Sequence, residues 1–445
     1  MTADLRSSYD EVPYRSLPLR QTHLDHLATV ASLFGFAATS IERCRVLEIG
    51  CAAGGNLIPM AASYPGSEFV GIDFSPVQIG QGAADVEALG LRNIRLLAMD
   101  VMDFDASFGA FDYIIAHGIY SWVPQNVQNR ILALCASQLT ASGIAIISYN
   151  TLPGWRMLAI VRDAMRYQTR GIGDPKARVA QARATLAFLS ESVAGDDSAY
   201  GRLLRMAAEN LRQKPDYYVL HEYLEETNEP LYFHEFIERA ERHHLRYLGE
   251  ADLKLMLSTG LSATTTQTLN RIATDLLGRE QVLDFLRNRT FRQTMLIRDG
   301  PPLDRKVSPE RVKSLWIAAP LRPSNPPSGV HSDKPQGFSL PDGRILEAHT
   351  PISKAALSLG RALAARDLVH GAVHRGRGPL GRQRPTRRQA ARAPGRGDPA
   401  LLHQRGRRTS FRTLAVRSRR GPTTGGVCGS AASGLARRNR NQSAA

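Results

Sequence analysis

The chain has 445 residues, 43% hydrophobic and 22% charged, with 37 Gly, 25 Pro and a formal net charge of +16 at pH 7. That length suffices for two or three domains with cores of their own, and the composition excludes a single small module, a collagen and a globally disordered chain. The charge is concentrated: residues 361–445 hold 20 Arg, no Lys, two acids (Asp367, Asp398) and one aromatic, Phe411, and setting them aside from 57 basic and 41 acidic residues leaves 37 and 39. Residues 1–360 are therefore a near-neutral globular chain, for which the net charge gives no reason to expect a nucleic-acid partner. Four Cys (Cys44, Cys51, Cys135, Cys428) without a CxxC pair form neither a disulfide framework nor a zinc ribbon, so no metal is expected. No apolar run approaches the ~18–20 residues of a membrane span, and the opening MTADLRSSYDE lacks the basic-then-apolar order of a signal peptide. The chain reads as cytoplasmic.

Residues 20–150 alternate short β-branched runs with helical stretches, the pattern of βαβ units in a parallel sheet. A leading helix is expected at 23–33, then strands at 44–51 (CRVLEIGC), 67–74 (SEFVGIDF), 93–100 (NIRLLAMD), 111–118 (FDYIIAHG) and 143–150 (GIAIISYN), with helices at 54–63, 76–89 and 124–139. The period is helical from 155 to 211, broken at GIGDP (171–175), as in an inserted helical layer. An amphipathic helix at 231–244 leads to a strand in HLRYLGEA, and EQVLDFLRNR to a last strand, TFRQTMLIR (290–298), whose alternation predicts a half-buried strand at the far side of the sheet. PLRPSNPPSG (320–329) is a connector. The Arg-rich segment beyond 360 lacks Ile, Tyr and Trp and reads as a disordered tail, either a nucleic-acid-binding arm or a stretch outside the natural reading frame.

The segment Glu48-Ile-Gly50-Cys-Ala52-Ala-Gly54-Gly55-Asn56 follows a strand and opens a helix, where glycines let backbone amides approach a ligand. Gly50, Ala52 and Gly55 fit a relaxed dinucleotide loop with Asp73, 23 residues after Gly50, on a ribose. Glu48, Gly50, Ala52 and Gly54 fit the ExGxGxG loop of S-adenosylmethionine sites. Three features favour the second: Glu48, because a carboxylate beside the loop repels pyrophosphate and suits a cationic ligand; carboxylates at the ends of the first three strands; and HLRYLGEA and TFRQTMLIR after the fifth parallel strand, which suit an antiparallel edge rather than a second mononucleotide half. Asp73 at the second strand end can accept from ribose hydroxyls, and Asp100 at the third from an adenine amino group. His221-Glu222 and His234-Glu235 have Glu (Glu225, Glu238) where a zinc motif needs a second His, so these residues belong to a helix face or a pocket wall.

The segments YDEVPY (9–14), VLEIGCAAGGN (46–56), GIDFSP (71–76), IIAHGIYSWVP (114–124), SYNTLPGW (148–155), NEPLYFHEF (228–236) and FLRNRTFRQTMLIR (285–298) resemble the class I S-adenosylmethionine-dependent methyltransferases. Within them the likeness is to the bacterial branch with a methyltransferase regulatory domain, which includes rickettsial-type protein-lysine methyltransferases. The resemblance implies an α/β, Rossmann-like, mostly parallel sheet with an antiparallel last strand and a helical insertion. It divides the chain into a cofactor-binding core (1–154), a helical insert (155–215), closing helices and last strands (216–300), the start of a C-terminal regulatory domain (301–360) and the tail (361–445). S-adenosyl-L-methionine is the implied cofactor, held by Glu48, Gly50, Ala52, Gly54, Asp73, Asp100 and Tyr14, with Tyr9 also near. Strand ends four and five supply catalytic candidates His117, Tyr120, Tyr149 and Asn150, Tyr120 and Tyr149 lining the methyl channel beside Trp122 and Trp155. The implied reaction is N-methylation of a protein lysine, with a small-molecule amine as the alternative acceptor and a homodimer as an expected assembly. Readings of another class are a nucleic-acid-binding protein acting through the tail, and an inactive remnant.

Overall fold

In the structure, a computed structural model, the described residues are 10–358, apart from 259, 313–314, 319, 325–328, 330, 342 and 356, together with 415–418. Tyr9 and the rest of the Arg-rich segment, including its expected disorder, lie outside them. The strands are β1 (Arg45–Ile49), β2 (Glu68–Asp73), β3 (Ile94–Ala98), β4 (Phe111–Ala116), β5 (Leu139–Asn150), β6 (Leu245–Glu250) and β7 (Phe291–Arg298), in one sheet ordered β3-β2-β1-β4-β5-β7-β6. The first five pair in parallel, and β7 runs antiparallel between β5 and β6. Because order reverses at β1, the carboxyl ends of β1 and β4 open a crevice at that point, the position where ligands bind in such sheets.

Side chains of period two fill both faces. Leu47, Ile114, Ala145, Ile147 and Leu296 enter one core, against α4 (Gln125–Gln138) and α9 (Phe233–Glu241). Val46, Tyr113, Ile115, Ile144, Ile146, Met295 and Ile297 enter the other, against α1 (Leu24–Leu33) and α2 (Leu57–Ser63). Helix α2 begins at Leu57 rather than at Gly54, since Gly54 at φ +73° is left-handed and outside helical geometry. Helix α3 (Pro76–Ala88) starts as its sequence predicts, with Pro76 in the first turn and Ser75 Oγ accepting from Gln78 N at 3.2 Å.

The inserted layer is α5 (Trp155–Gln168), α6 (Pro175–Ser192) and α7 (Ala199–Arg212), followed by α8 (Asp216–Val219), which continues into a π turn over Leu220–Leu224. It has its own core of Val161, Met165, Val179, Leu186, Leu204, Leu211 and Leu224. Each such buried side chain stabilises the layer by roughly 1.5–3 kcal/mol. Helices α10 (Ala263–Ile272) and α11 (Leu276–Arg287) lead into β7.

β7 is not the half-buried strand its alternation predicts. It is an interior strand buried on both faces, and Arg292 on it is fully buried. The guanidinium meets Glu250 Oε1 at 2.6 Å, Asp284 Oδ2 at 2.8 Å and Glu280 Oε2 at 3.2 Å, so this buried charge is the tie between β6, β7 and α11. Arg289 adds an ion pair to Asp284 at 2.9 Å. Beyond β7, Leu315–Ala318 pairs antiparallel with Ala415–Ser418, four residues of the segment expected to be disordered. Among the described residues no helix is long and apolar enough to cross a membrane.

Candidate active site

A cavity of about 540 Å³ opens over the crevice at the ends of β1, β2 and β4. Its near side is formed by the loop after β1, the N-terminal segment from Tyr14 to Leu19 lying over it, and α8 with its π turn, and the ends of β2, β4 and β5 and the start of β7 complete it.

The loop after β1 turns through two left-handed glycines, Gly50 (φ +73°) and Gly54 (φ +73°), with Ala52 between them at φ +50°. A left-handed Ala costs about 1–2 kcal/mol, and the hydrogen bond from Ala52 N to Asp73 Oδ2 at 2.8 Å holds it there. Asp73 Oδ1 accepts from Ser75 N at 2.9 Å. A carboxylate offers about four acceptor positions, so Asp73 can fix the loop and still accept from a ligand hydroxyl. Burial raises its pKa. Glu48 holds Asn56 Nδ2 at 2.9 Å through Oε1, while Oε2 is buried with no hydrogen-bond partner among the described residues. Burial pushes the Glu48 carboxyl up to about 8.

The N-terminal segment is tied down along its length. Asp10 bonds Ser75 Oγ, Val12 O faces His221 Nε2 at 2.7 Å, Ser16 Oγ accepts from Gly55 N at 2.8 Å, and Leu19 N donates to Asn56 Oδ1 at 3.0 Å. A Cβ on Gly55 would lie 2.5 Å from the Ser16 carbonyl oxygen, so only glycine lets the segment cross the loop this closely.

On the far wall, His117 packs edge-on to Phe291 with centroids 5.8 Å apart, and its buried Nδ1 has no partner among the described residues. Burial lowers its pKa to about 4, so it is neutral at pH 7. Asn150 donates through Nδ2 to Asn228 Oδ1 at 3.3 Å and is held by Ser121 Oγ on its backbone N at 2.9 Å. Trp122 and Trp155 meet edge to face at 6.1 Å.

Of the residues singled out in the sequence, Tyr14, Glu48, Gly50, Ala52, Asp73, His117, Asn150, Trp122 and Trp155 line this cavity. Gly54, Asp100, Tyr120 and Tyr149 are not in its lining. Asp100 sits between two lining residues, Met99 and Val101, with Oδ1 turned to Met102 N at 3.0 Å. Tyr120 and Tyr149 are buried in the core around Phe236, with Tyr149 stacked on that ring at 4.0 Å and its hydroxyl 3.2 Å from Thr294 Oγ1. Aromatics at strand ends satisfy the core before they reach a ligand, and a sequence does not show which they do.

Tyr217, Tyr218, His221 and Glu222 complete the cavity from α8 and its π turn. His221 and Glu222 had read as helix-face or pocket-wall residues, and the wall is where they lie. Among the described residues no group of three or more His, Cys, Asp or Glu is placed to hold a metal ion. The lining includes three carboxylates, Glu48, Asp73 and Glu222, against one permanent cation, Arg15.

Two family models match the chain: a methyltransferase domain over residues 46–143, and a predicted methyltransferase regulatory domain over 215–298, the stretch that supplies β6 and β7. An uncharacterized protein of Rickettsia prowazekii is 41% identical over 318 residues, covering 72% of this chain and 57% of its own length. A second uncharacterized protein of the same organism is 39% identical over 241 residues, 54% of this chain and 96% of the relative. Among solved structures, PKMT2 from Rickettsia typhi in complex with AdoHcy is similar with a TM-score of 0.71 and 35% identity, covering 79% of this chain and 68% of that one.

Proposed function

The chain belongs to the class I S-adenosylmethionine-dependent methyltransferases, and from that premise we propose that it methylates an amine, the side chain of a protein lysine. The observation that carries the reading is the charge of the cavity: Glu48 and Asp73 face it from β1 and β2, Glu48 with an unpartnered buried oxygen, and Arg15 is the sole permanent cation in the lining. Glu48 is neutral in the free protein and ionises for a bound cation, so the lining offers a pyrophosphate nothing to pair with and suits a ligand that carries a sulfonium and an ammonium.

S-adenosylmethionine is the cofactor of this family, and the residues present fit it. Glu48 would hold the ammonium of the methionine half, Asp73 the ribose hydroxyls and the loop that turns at Gly50, Ala52 and Gly54 the chain between them, while Asp100, between the lining residues Met99 and Val101, would turn its carboxylate inward to meet the adenine amino group. The cofactor supplies an electrophilic methyl carbon, and the displacement is in line, so positioning does most of the work and no metal is required. The neutral His117 and the amide of Asn150 line the cavity at the ends of β4 and β5 without adding charge, which leaves the carboxylates to set the preference for a cation. Tyr14, Tyr217, Tyr218 and the Trp122–Trp155 pair give an acceptor cation aromatic faces. The lysine assignment is further supported by the likeness to PKMT2.

The test is transfer of label from methyl-tritiated S-adenosylmethionine to lysine-containing peptides, followed by hydrolysis and identification of methyl-lysine. Asp73→Ala abolishes cofactor binding if the ribose assignment is right, and near-normal affinity in that variant overturns it.

A further inference from the structure

The cofactor reading uses Glu48 and Asp73 and leaves the third carboxylate of the cavity without a task. Glu222 lies on the π turn of Leu220–Leu224, not on a strand end. A π turn is rare and tends to mark functional positions, because the extra residue re-aims side chains that a regular helix would place elsewhere. Here it puts two consecutive side chains, His221 and Glu222, into the wall of one cavity.

His221 is engaged as structure, with Nδ1 2.8 Å from Glu225 Oε1 and Nε2 2.7 Å from Val12 O, so it holds the N-terminal segment over the site. His117 is held neutral by burial, with a pKa near 4, and is too weak a base for an ammonium. Asp73 already accepts two backbone N–H bonds. Glu222 is different: burial raises its pKa to about 7, with Tyr14 of the N-terminal segment lining the same cavity and interacting with it. Around it stand the Tyr14 ring, edge-on to Tyr217 at 5.3 Å, and Tyr218.

We propose that Glu222, framed by Tyr14, Tyr217 and Tyr218, binds the acceptor's ammonium and takes its proton. The assignment rests on the amine-acceptor reading above. A lysine ammonium with an ordinary pKa of about 10.4 gives up its proton to such a group only when its own pKa is depressed. Burial and a neighbouring sulfonium both act in that direction. The proton passes from the ammonium to the Glu222 carboxylate. The freed nitrogen lone pair forms the new N–C bond as the S–C bond breaks, its electron pair staying on sulfur. The product leaves as a secondary ammonium, and Glu222 returns its proton to water.

The charged and titratable groups around Glu222 are His221 and Tyr223 from its own turn, Tyr218 from α8, Lys214 ahead of that helix and Tyr14 from the N-terminal segment. The test compares the full chain with Glu222→Gln and Glu222→Asp, using tritiated S-adenosylmethionine, a degenerate library of lysine peptides, and calorimetric titration of the cofactor. Glu222→Gln is expected to bind cofactor within about twofold of wild type and to lose transfer by about 10²–10⁴-fold. The rise in rate through pH 7 should vanish with it, and Glu222→Asp should restore part of the rate with that limb intact. Unchanged turnover and pH profile in Glu222→Gln overturn the role of Glu222 while the amine reading stands. Loss of cofactor binding in that variant assigns Glu222 to structure and also overturns the role. A wild-type chain that binds cofactor but labels no lysine removes the amine reading itself, and Glu222 as its base with it.

Discussion

Gly55→Ala tests how the N-terminal segment closes the cavity. The added Cβ would stand 2.5 Å from Ser16 O, 2.6 Å from Ser16 C and 2.8 Å from Ser16 Oγ. A carbon–oxygen contact needs more than 3 Å, so the segment must lift by at least half an ångström or so, and the 2.8 Å bond from Gly55 N to Ser16 Oγ is lost. That bond contributes about 0.5–1.5 kcal/mol. If the strain and the displaced Tyr14 wall add a similar amount, the total is about 1–3 kcal/mol, or roughly a 5- to 150-fold weaker affinity for S-adenosylmethionine. The core should be unaffected, because Gly55 is on the loop and both faces of the sheet pack elsewhere. Calorimetric titration gives the affinity and thermal melting the stability, with Gly80→Ala as control, since a Cβ at that exposed helical position meets nothing within 4 Å. Cofactor affinity in Gly55→Ala within twofold of wild type would refute the closing role of the segment.

Other consequences follow from the buried charges. Because Glu48 is raised to about 8, the free protein keeps its proton between an unfolded-state pKa of about 4.3 and that value, so this carboxyl's contribution to stability falls as pH rises through the window. A cation bound at Oε2 lowers that pKa and releases the proton. S-adenosylmethionine affinity is therefore expected to rise with pH up to about 8 and level off, and Glu48→Gln to flatten the profile, as calorimetry over pH 6–9 would register. Arg292→Met strands Glu250, Glu280 and Asp284 in the interior and should destabilise the fold by about 3–5 kcal/mol in urea titration. The loss should be smaller at pH 5 than at pH 8, since Glu280, already raised to about 7 by burial, is neutralised on the acid side. Tyr149→Phe removes the hydroxyl contact to Thr294 and should cost about 1 kcal/mol of stability without changing turnover. A collapse of turnover at intact stability would return Tyr149 to the methyl channel.

The parallel half of the sheet was legible because β1 to β5 each carry a short apolar run bounded by a turn signal, and because Pro76 and Pro175 stand at helix starts. The glycine loop and Asp73 were legible for a local reason: the chemistry lies within one strand–turn–helix unit. What the sequence did not show depends on contacts between distant segments. Arg292 stands in an alternating strand, and only the approach of Glu250 and α11 turns it into a buried tie. Tyr120 and Tyr149 look like channel residues until Phe236, some 90 residues after Tyr149, is placed between the sheet and α9 and takes them into the core. Tyr217 and Tyr218 reach the cavity from α8 and Glu222 from the π turn that follows it, which leaves no periodic signature, so that the sequence left Glu222 between a helix face and a pocket wall and did not mark the two tyrosines.

The central claim, that the acid-lined cavity binds S-adenosylmethionine, is tested most directly by calorimetric titration of that compound into the full chain, with NADH as the control ligand. Micromolar binding of the sulfonium cofactor with no response to NADH is the predicted result. A response to NADH alone, or silence from both, would contradict it.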